Sequence, residues 1–193
     1  SITANELKKA IEEINTDPSI DGCIVQLPLP SHIRTEVAIN TLNPKKDVDG
    51  FTRINIWKLF LWENDGHISC TPKWILRLLT HYNIEVSWKH IVIIGRSTIV
   101  GRPLGLLLQN TGATVTTCHS KTKDIKKHLL SADIIIPAVW KENFIDASMI
   151  SSHCTIIDVG INRNSEWKLV GDANYNEIIQ KANRNNIWSL TCW

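Results

Sequence analysis

The sequence predicts an α/β protein: a Rossmann-like parallel sheet preceded by a smaller, partial N-terminal α/β domain. Two observations carry this. The run IVIIGRSTIVGRPLG, Ile91–Gly105, sets four β-branched apolar residues before a glycine, the pattern of a buried strand that stops abruptly. Arg96, Ser97 and Thr98 follow, then a second glycine, Gly101, then Leu104, Leu106, Leu107 and Leu108 at helical spacing. A strand, a glycine-bounded loop and a helix in that order aim backbone N–H groups and a positive helix end at an anion, usually a phosphate. The spacing is not G-x-G-x-x-G, so the pattern alone also admits a turn that binds nothing. The second observation is that strand and helix patterns alternate from Ile91 onward, the signature of a parallel sheet with right-handed crossovers.

The elements follow in order. Strands are predicted at Ala113–Cys118, Ala132–Ala138 and Thr155–Val159, with helices over Asp124–Leu130 and Tyr175–Lys181. Ligands of such sheets bind beyond the carboxyl ends of the strands. Gly95–Ser97, His119–Thr122, Val139–Lys141 and Gly160–Asn162 all fall there. An NAD-binding sheet of this kind carries an acidic residue about 20 residues past its glycines, on the ribose 2′-OH. Here no Asp or Glu occurs between Gly95 and Asp124, while Arg96 lies in the first loop and Ser120 and Lys121 end the second strand. A guanidinium in place of a carboxylate suits a 2′-phosphate, so charge favours NADP over NAD. Single basic residues are more often solvated surface charges, and that reading of Arg96 and Lys121 stays open.

In the N-terminal part, Thr3–Asn15 reads as an amphipathic helix with Leu7, Ile11 and Ile14 on one face and a possible capping box of Thr3 and Glu6. Asp17-Pro18-Ser19 breaks it. GCIVQL, residues 22–27, reads as a short buried strand, and Pro28-Leu29-Pro30 forces an extended exit. Gln26 is the one polar side chain in that run, and a buried amide commonly satisfies a neighbouring backbone. His32–Leu42 reads as a helix. Asn43–Phe51 crowds two carboxylates and two lysines between a proline and a glycine, where Asp49 before Gly50 can simply form a turn. Ile54–Leu61 and a segment starting at Thr71-Pro72 are helical. The junction falls near residues 70–88, giving domains 1–80 and 81–193.

The 193 residues are 43% hydrophobic and 21% charged, with a net charge of +2, an ordinary soluble balance. That charge gives no reason to expect nucleic acid. No apolar run reaches the roughly 20 residues that span a bilayer. Five cysteines, Cys23, Cys70, Cys118, Cys154 and Cys192, are widely spaced with no C-x-x-C. Neither a metal site nor a disulfide framework is suggested, and reduced cytosolic thiols are the simplest account.

Taken together the chain resembles the bifunctional methylenetetrahydrofolate dehydrogenase/cyclohydrolase family. The resemblance rests on GCIVQLPLP (22–30), PKKDVDGF (44–51), CTPKWILRLL (70–79), IVIIGRSTIVGRPLGLLL (91–108), ATVTTCHSKT (113–122), ADIIIPAV (132–139), IIDVGINR (156–163) and LVGDANY (169–175). They stand in the family's order and cover nearly the whole chain. The resemblance implies NADP-dependent oxidation of 5,10-methylenetetrahydrofolate and hydrolysis of the methenyl product to 10-formyltetrahydrofolate. It further implies a cytoplasmic homodimer serving one-carbon metabolism and purine biosynthesis. Gln26 then matches a glutamine that contacts the catalytic lysine and substrate, and Asp49 an aspartate on the pterin ring. Gly95, Arg96, Ser97 and Gly101 match the cofactor loop, Ser120 a second contact near the ribose phosphate, and Ile161 a residue beside the cofactor.

Three departures stand out. The family's Tyr-x-x-x-Lys, which carries the catalytic lysine, is not found in residues 1–193, nor is its loop TPVPGGVGP. The chain therefore reads as an internal piece, inactive as given. Other readings are a nucleotide-binding remnant or another NADP-dependent dehydrogenase, such as the shikimate type, though VQLPLP and KDVDG speak against the latter. The third departure is compositional. There are eight Trp against three Phe and two Tyr, and only nine Gly, below the usual share of about 7%. Trp57, Trp62, Trp74, Trp88, Trp140 and Trp167 stand where the family pattern usually has glycine, whereas Trp188 and Trp193 are not placed against that pattern. UGA codons that mean glycine, translated as tryptophan, would produce this pattern. If the tryptophans are real, Trp140 should crowd the cofactor site.

Overall fold

The computed structural model describes residues 2–182 and 187–189. Cys192 and Trp193, both singled out above, lie outside the described residues. The chain divides into two compact units, Ser1–Trp74 and Ile75–Trp193.

In the first unit α1 (Ala4–Thr16) starts as its sequence predicts. Thr3 is the N-cap, its side chain accepts from the Glu6 N–H, and the Glu6 carboxylate accepts from the Thr3 N–H. Ile11 is buried against Ala38 and Leu42, with Leu7, Cys23, Val25 and Leu29 packed on them. Helix α2 (Thr35–Thr41) is shorter than His32–Leu42. The Ile33 N–H turns back to the Pro30 carbonyl at 2.9 Å, which spends the first residues on a turn. GCIVQL is not a buried strand: it makes a single parallel bridge, Cys23 to Asp47. One such pair builds no ladder, so the segment is extended with its side chains alternating in and out. Cys23 and Val25 pack inward while Ile24 and Gln26 are exposed. Helix α3 (Arg53–Leu61) is capped by the Thr52 hydroxyl, and α4 (Cys70–His81) follows.

The second unit is a doubly wound sheet. Strands β1 (His90–Ile94), β2 (Thr114–Cys118), β3 (Ile134–Pro137), β4 (Thr155–Asp158) and β7 (Ile187–Ser189) lie in the order β2-β1-β3-β4-β7, all parallel. The short strands β5 (Asn162–Arg163) and β6 (Leu169–Val170) form a separate antiparallel hairpin. Strand alternation assigns the side chains to two cores. Ile91, Ile93, Ile134, Ile136 and Ile157 pack on one face with Leu104 and Leu108 of α5 (Gly101–Asn110) and Ile75 and Leu79 of α4. Val92, Ile94, Ile135 and Ile156 pack on the other, with Leu129 of α6 (Ile125–Leu130) and Ile178 of α7 (Tyr175–Lys181). Apolar residues face both ways because helices cover both sides, which is why these strands read as unbroken apolar runs.

The order reverses at β1. The chain leaves β1 for β2 on one side and returns to β3 on the other, so the carboxyl ends of β1 and β3 form the topological switch point. The parallel ladders place the ends of β1, β2, β3 and β4 along one edge.

The tryptophans sit in unusual backbone. Trp62, Trp88, Trp140 and Trp167 have φ of 65°, 65°, 55° and 62°, in the left-handed region that costs a bulky L-residue roughly 1–2 kcal/mol. All four are substantially exposed, from 46% for Trp140 to 90% for Trp88, so little packing offsets the strain. Trp188 lies in β7, its ring centroid 3.5 Å from that of Tyr82 and its buried Nε1 without a hydrogen-bond partner. Trp88→Gly is expected to raise the unfolding free energy by about 1 kcal/mol, read as a higher melting temperature by scanning calorimetry.

Candidate functional site

The site grows from the end of β1. The Gly95 N–H continues the ladder to the Cys118 carbonyl at 2.9 Å, and then the chain turns at φ +125°. A Cβ on Gly95 would lie 2.4 Å from the Ala138 carbonyl oxygen at the end of β3. One on Gly101 would lie 2.2 Å from the Gly95 carbonyl oxygen. The two glycines thus let the loop fold against both the switch point and the start of α5. The Ser97 hydroxyl accepts from the N–H of Val100 at 3.2 Å and of Gly101 at 3.3 Å, which pins the loop to the first turn of the helix. Arg96 is exposed on that loop. Ser120 is exposed in a turn just past β2, where the His119 N–H donates to the Thr122 hydroxyl at 2.8 Å. Ile161 is exposed just past β4. The residues singled out in the second unit therefore all lie at one edge: Gly95, Arg96, Ser97 and Gly101 at β1, Ser120 at β2 and Ile161 at β4. Trp140, at the end of β3, keeps 46% of its surface open.

The structure supplies further residues on this edge. Asp158 and Asp172 are buried carboxylates there. Asp158 Oδ1 accepts from the N–H of Gly160 and of Asp172, both at 3.0 Å, and Oδ2 from that of Ala173 at 2.9 Å. Asp172 Oδ2 accepts from Val139 and Trp140, and Oδ1 from Lys141 and Asn162. The signal in the sequence was a lone carboxylate closing an apolar strand, TIIDV, and a second one after Gly171. Burial pushes the Asp158 carboxyl up to about 6, against the three N–H groups that favour its anion; the charge of Asp172 adds to the rise.

In the first unit the KDVDG segment separates its two carboxylates. Asp47 is buried and accepts from the Phe51 N–H at 3.2 Å, the Thr52 N–H at 2.7 Å and Asn55 Nδ2 at 2.9 Å. It braces the turn and the start of α3. Gly50 stands at φ +68° with the His67 carbonyl oxygen 2.5 Å from where a Cβ would be. Asp49 is half-buried between them. Burial raises its pKa, the charge of Asp47 raises it further, and a hydrogen bond from the Cys70 thiol opposes both. Gln26 is exposed, so it is not a buried amide; its Nε2 donates to the neighbouring Leu27 carbonyl at 3.0 Å. The Cys23–Asp47 bridge is parallel, so Gln26 and Asp49 follow it in the same direction by three and two residues. Among the described residues no group of three or more His, Cys, Asp or Glu side chains could hold a metal ion, and no helix is long and apolar enough to cross a membrane.

Comparison with known proteins decides the family. Residues 69–186 match the tetrahydrofolate dehydrogenase/cyclohydrolase NAD(P)-binding domain, and residues 1–49 its catalytic domain. The chain belongs to the tetrahydrofolate dehydrogenase/cyclohydrolase family. It is 46% identical over 182 residues to the bifunctional protein FolD of Bacillus velezensis, covering 94% of this chain and 64% of the relative. It thus spans less than two thirds of that relative's length. The solved bifunctional enzyme FolD of Campylobacter jejuni superposes with a TM-score of 0.94 at 41% identity, over 98% of this chain and 66% of that one. The Trypanosoma brucei enzyme, solved with NADP cofactor and an inhibitor, gives 0.89 at 28%, over 98% and 66%. The glycine loop, Ser120, Ile161 and the Asp158–Asp172 pair fall in the stretch that matches the family's NAD(P)-binding domain, and Gln26 and Asp49 in that of its catalytic domain.

The raised pKa of Asp158 has a definite sign. An acid whose folded pKa of about 6 exceeds its ordinary 3.8 binds a proton on folding. Its contribution is fully present below about pH 4 and is lost as pH rises through about 6. Urea unfolding should show wild-type stability falling relative to Asp158→Asn across that window, by on the order of 3 kcal/mol, and a constant difference above it.

Proposed function

We propose that this chain carries the cofactor site and part of the folate site of an enzyme that oxidises 5,10-methylenetetrahydrofolate with NADP and hydrolyses the 5,10-methenyl product to 10-formyltetrahydrofolate. The observation that carries the cofactor half is the end of β1. Two glycines without room for a Cβ meet there at the switch point, beside an exposed guanidinium, with no carboxylate from residue 96 to 123. The residues present fit the cofactor. Gly95 and Gly101 hold the loop tight at the switch point, where its backbone N–H groups and the start of α5 face a diphosphate. Arg96, with Ser97 and Ser120, holds the 2′-phosphate by charge-assisted hydrogen bonds. Ile161 offers an apolar surface to the other half of the dinucleotide. The T. brucei relative solved with NADP supports the choice of cofactor.

The bound cofactor supplies a hydride acceptor for the methylene carbon. Everything else falls to the chain. Asp49, half-buried at the head of the KDVDG turn, accepts from the donor edge of the pterin. Gln26 is an amide and does not titrate, so its part is to orient the reacting groups. In the second step water adds to the methenyl carbon, the bond from that carbon to N5 breaks, and one proton is released. Moving that proton requires a titratable group, which the family resemblance places in a Tyr-x-x-x-Lys motif outside residues 1–193. A cytoplasmic homodimer that feeds one-carbon units to purine synthesis extends this reading to the whole protein, on the family relation alone.

Cofactor titration of the chain tests the proposal. Arg96→Ala should weaken NADP binding by about 10- to 100-fold, the worth of a charge-assisted pair, and change NAD binding far less. Equal losses for the two cofactors would remove the 2′-phosphate assignment.

A further inference from the structure

Asp172 is fully buried, and its carboxylate takes four hydrogen bonds: from the N–H of Val139 at 2.7 Å, of Trp140 at 3.1 Å and of Lys141 at 2.8 Å, and from Asn162 Nδ2 at 2.9 Å. Three of the donors are consecutive backbone groups of the loop that leaves β3, and the fourth belongs to the strand that follows the β4 loop. Asp158 in turn holds the backbone N–H of Asp172 and of Ala173. Gly160 and Gly171 make room for the pair: a Cβ on Gly160 would lie 2.2 Å from the Asp172 carboxyl group, and one on Gly171 1.9 Å from Asp158 Oδ2. Burying two carboxylates side by side is a poor way to gain stability, since apolar packing of the same volume serves as well or better. What the pair does supply is geometry, because every acceptor oxygen is committed to a loop at the carboxyl edge.

We propose that Asp172, seated on Asp158, is a positioning residue for the cofactor: it fixes the loops after β3 and β4 so that the nicotinamide half of the dinucleotide meets a preset surface. The adenine half lies across the switch point, at β1 and β2 with Arg96 and Ser120, and touches none of these bonds. This inference rests on the cofactor reading above.

The test separates the two halves of the ligand. Titrations with NADP and with adenosine 2′,5′-bisphosphate, the adenine half alone, compare wild type with Asp172→Asn and Asn162→Ala. Asp172→Asn places an N–H against backbone N–H donors, while Asn162→Ala removes a single bond and leaves the carboxylate in place. NADP should weaken about tenfold or more in Asp172→Asn and a few-fold in Asn162→Ala, as misplaced contacts do. Affinity for the bisphosphate should stay within about twofold. Unchanged NADP binding, or equal weakening of both ligands in Asn162→Ala, overturns the positioning role. If Asp172→Asn fails to fold, Asn162→Ala decides alone. Wild type that binds neither ligand instead refutes the cofactor reading itself.

A separate observation concerns the tryptophans. Among the described residues seven non-glycine positions have positive φ: Asn83, Asp124, Asn143 and the four tryptophans 62, 88, 140 and 167. Asn and Asp are the ordinary non-glycine occupants of this region, whereas a bulky aromatic is an outlier. Each tryptophan also stands where a glycine has a specific task. Trp62 is the left-handed C-cap of α3, its N–H bonded to the Leu59 and Lys58 carbonyls. Trp88 lies in a turn closed by the Lys89 N–H on Val86. Trp167 lies in the loop between β5 and β6. Trp140 sits on the Asp172 carboxylate through its N–H. Local strain at scattered surface turns has no reason to choose one residue type, but a codon does.

We infer that positions 62, 88, 140 and 167 are glycine in the protein as its own cell makes it, through UGA codons, which specify tryptophan under one genetic code and glycine under another. Trp57 and Trp74 lie within α3 and α4, and their backbone adds nothing to the argument. The gene sequence and peptide mass spectrometry of the natural protein test it. UGA codons at these four positions, with glycine masses in the peptides, are the expected result; UGG at any of the four overturns the inference there.

Discussion

Close approach to glycine backbone, where a β-carbon would intrude, is the constraint on which the carboxyl edge of the sheet depends. Gly95 meets the Ala138 carbonyl, Gly101 meets the Gly95 carbonyl, and Gly160 and Gly171 meet the two buried aspartates. The first joins the ends of β1 and β3, the second closes the loop after β1 on itself, and the last two tie the end of β4 to the segment after β6. Together they hold the loops after β1, β3 and β4 close at the carboxyl edge. A side chain at Gly95 or Gly101 would have to push apart two pieces of main chain, and one at Gly160 or Gly171 would displace a buried carboxylate, which a packed sheet resists.

The sheet can hold that edge still because both of its faces are loaded. Odd-numbered residues of β1 face one core and even-numbered residues the other, and helices cover each. Residues 91–94 of β1 are paired with β2 on one side and β3 on the other. The edge loops then need only short tethers. Ser97 anchors the first loop to α5, the Thr122 hydroxyl closes the second turn, and Asp172 gathers the third and fourth.

The same division of labour appears in the first unit. Of two aspartates two residues apart, Asp47 is consumed by the fold and Asp49 is left half-open. The buried one makes three hydrogen bonds and fixes the turn that presents the other. Spacing within KDVDG does not say which is which. The difference is burial, and burial is decided by α3 and the 67–70 segment packing over the turn.

Much was legible in the chain itself. Apolar runs gave strands β1, β3 and β4, which suit a sheet covered on both faces, and the alternation of strand and helix patterns gave the parallel arrangement. The Thr3 and Glu6 capping box and the helix Tyr175–Lys181 were equally local. The missing acid after Gly95 and the presence of Arg96 are matters of composition that no fold can change. Tertiary structure decided the rest. It unmade the GCIVQL strand, since a run needs partners to form a ladder and this one finds a single bridge. It brought Asp158 and Asp172, fourteen residues apart, onto one set of loops. It also gave four tryptophans, 62, 88, 140 and 167, their left-handed backbone. Sequence records which side chains are available, but hydrogen-bond partners distant along the chain, and the space left between backbones, exist only once the sheet has closed.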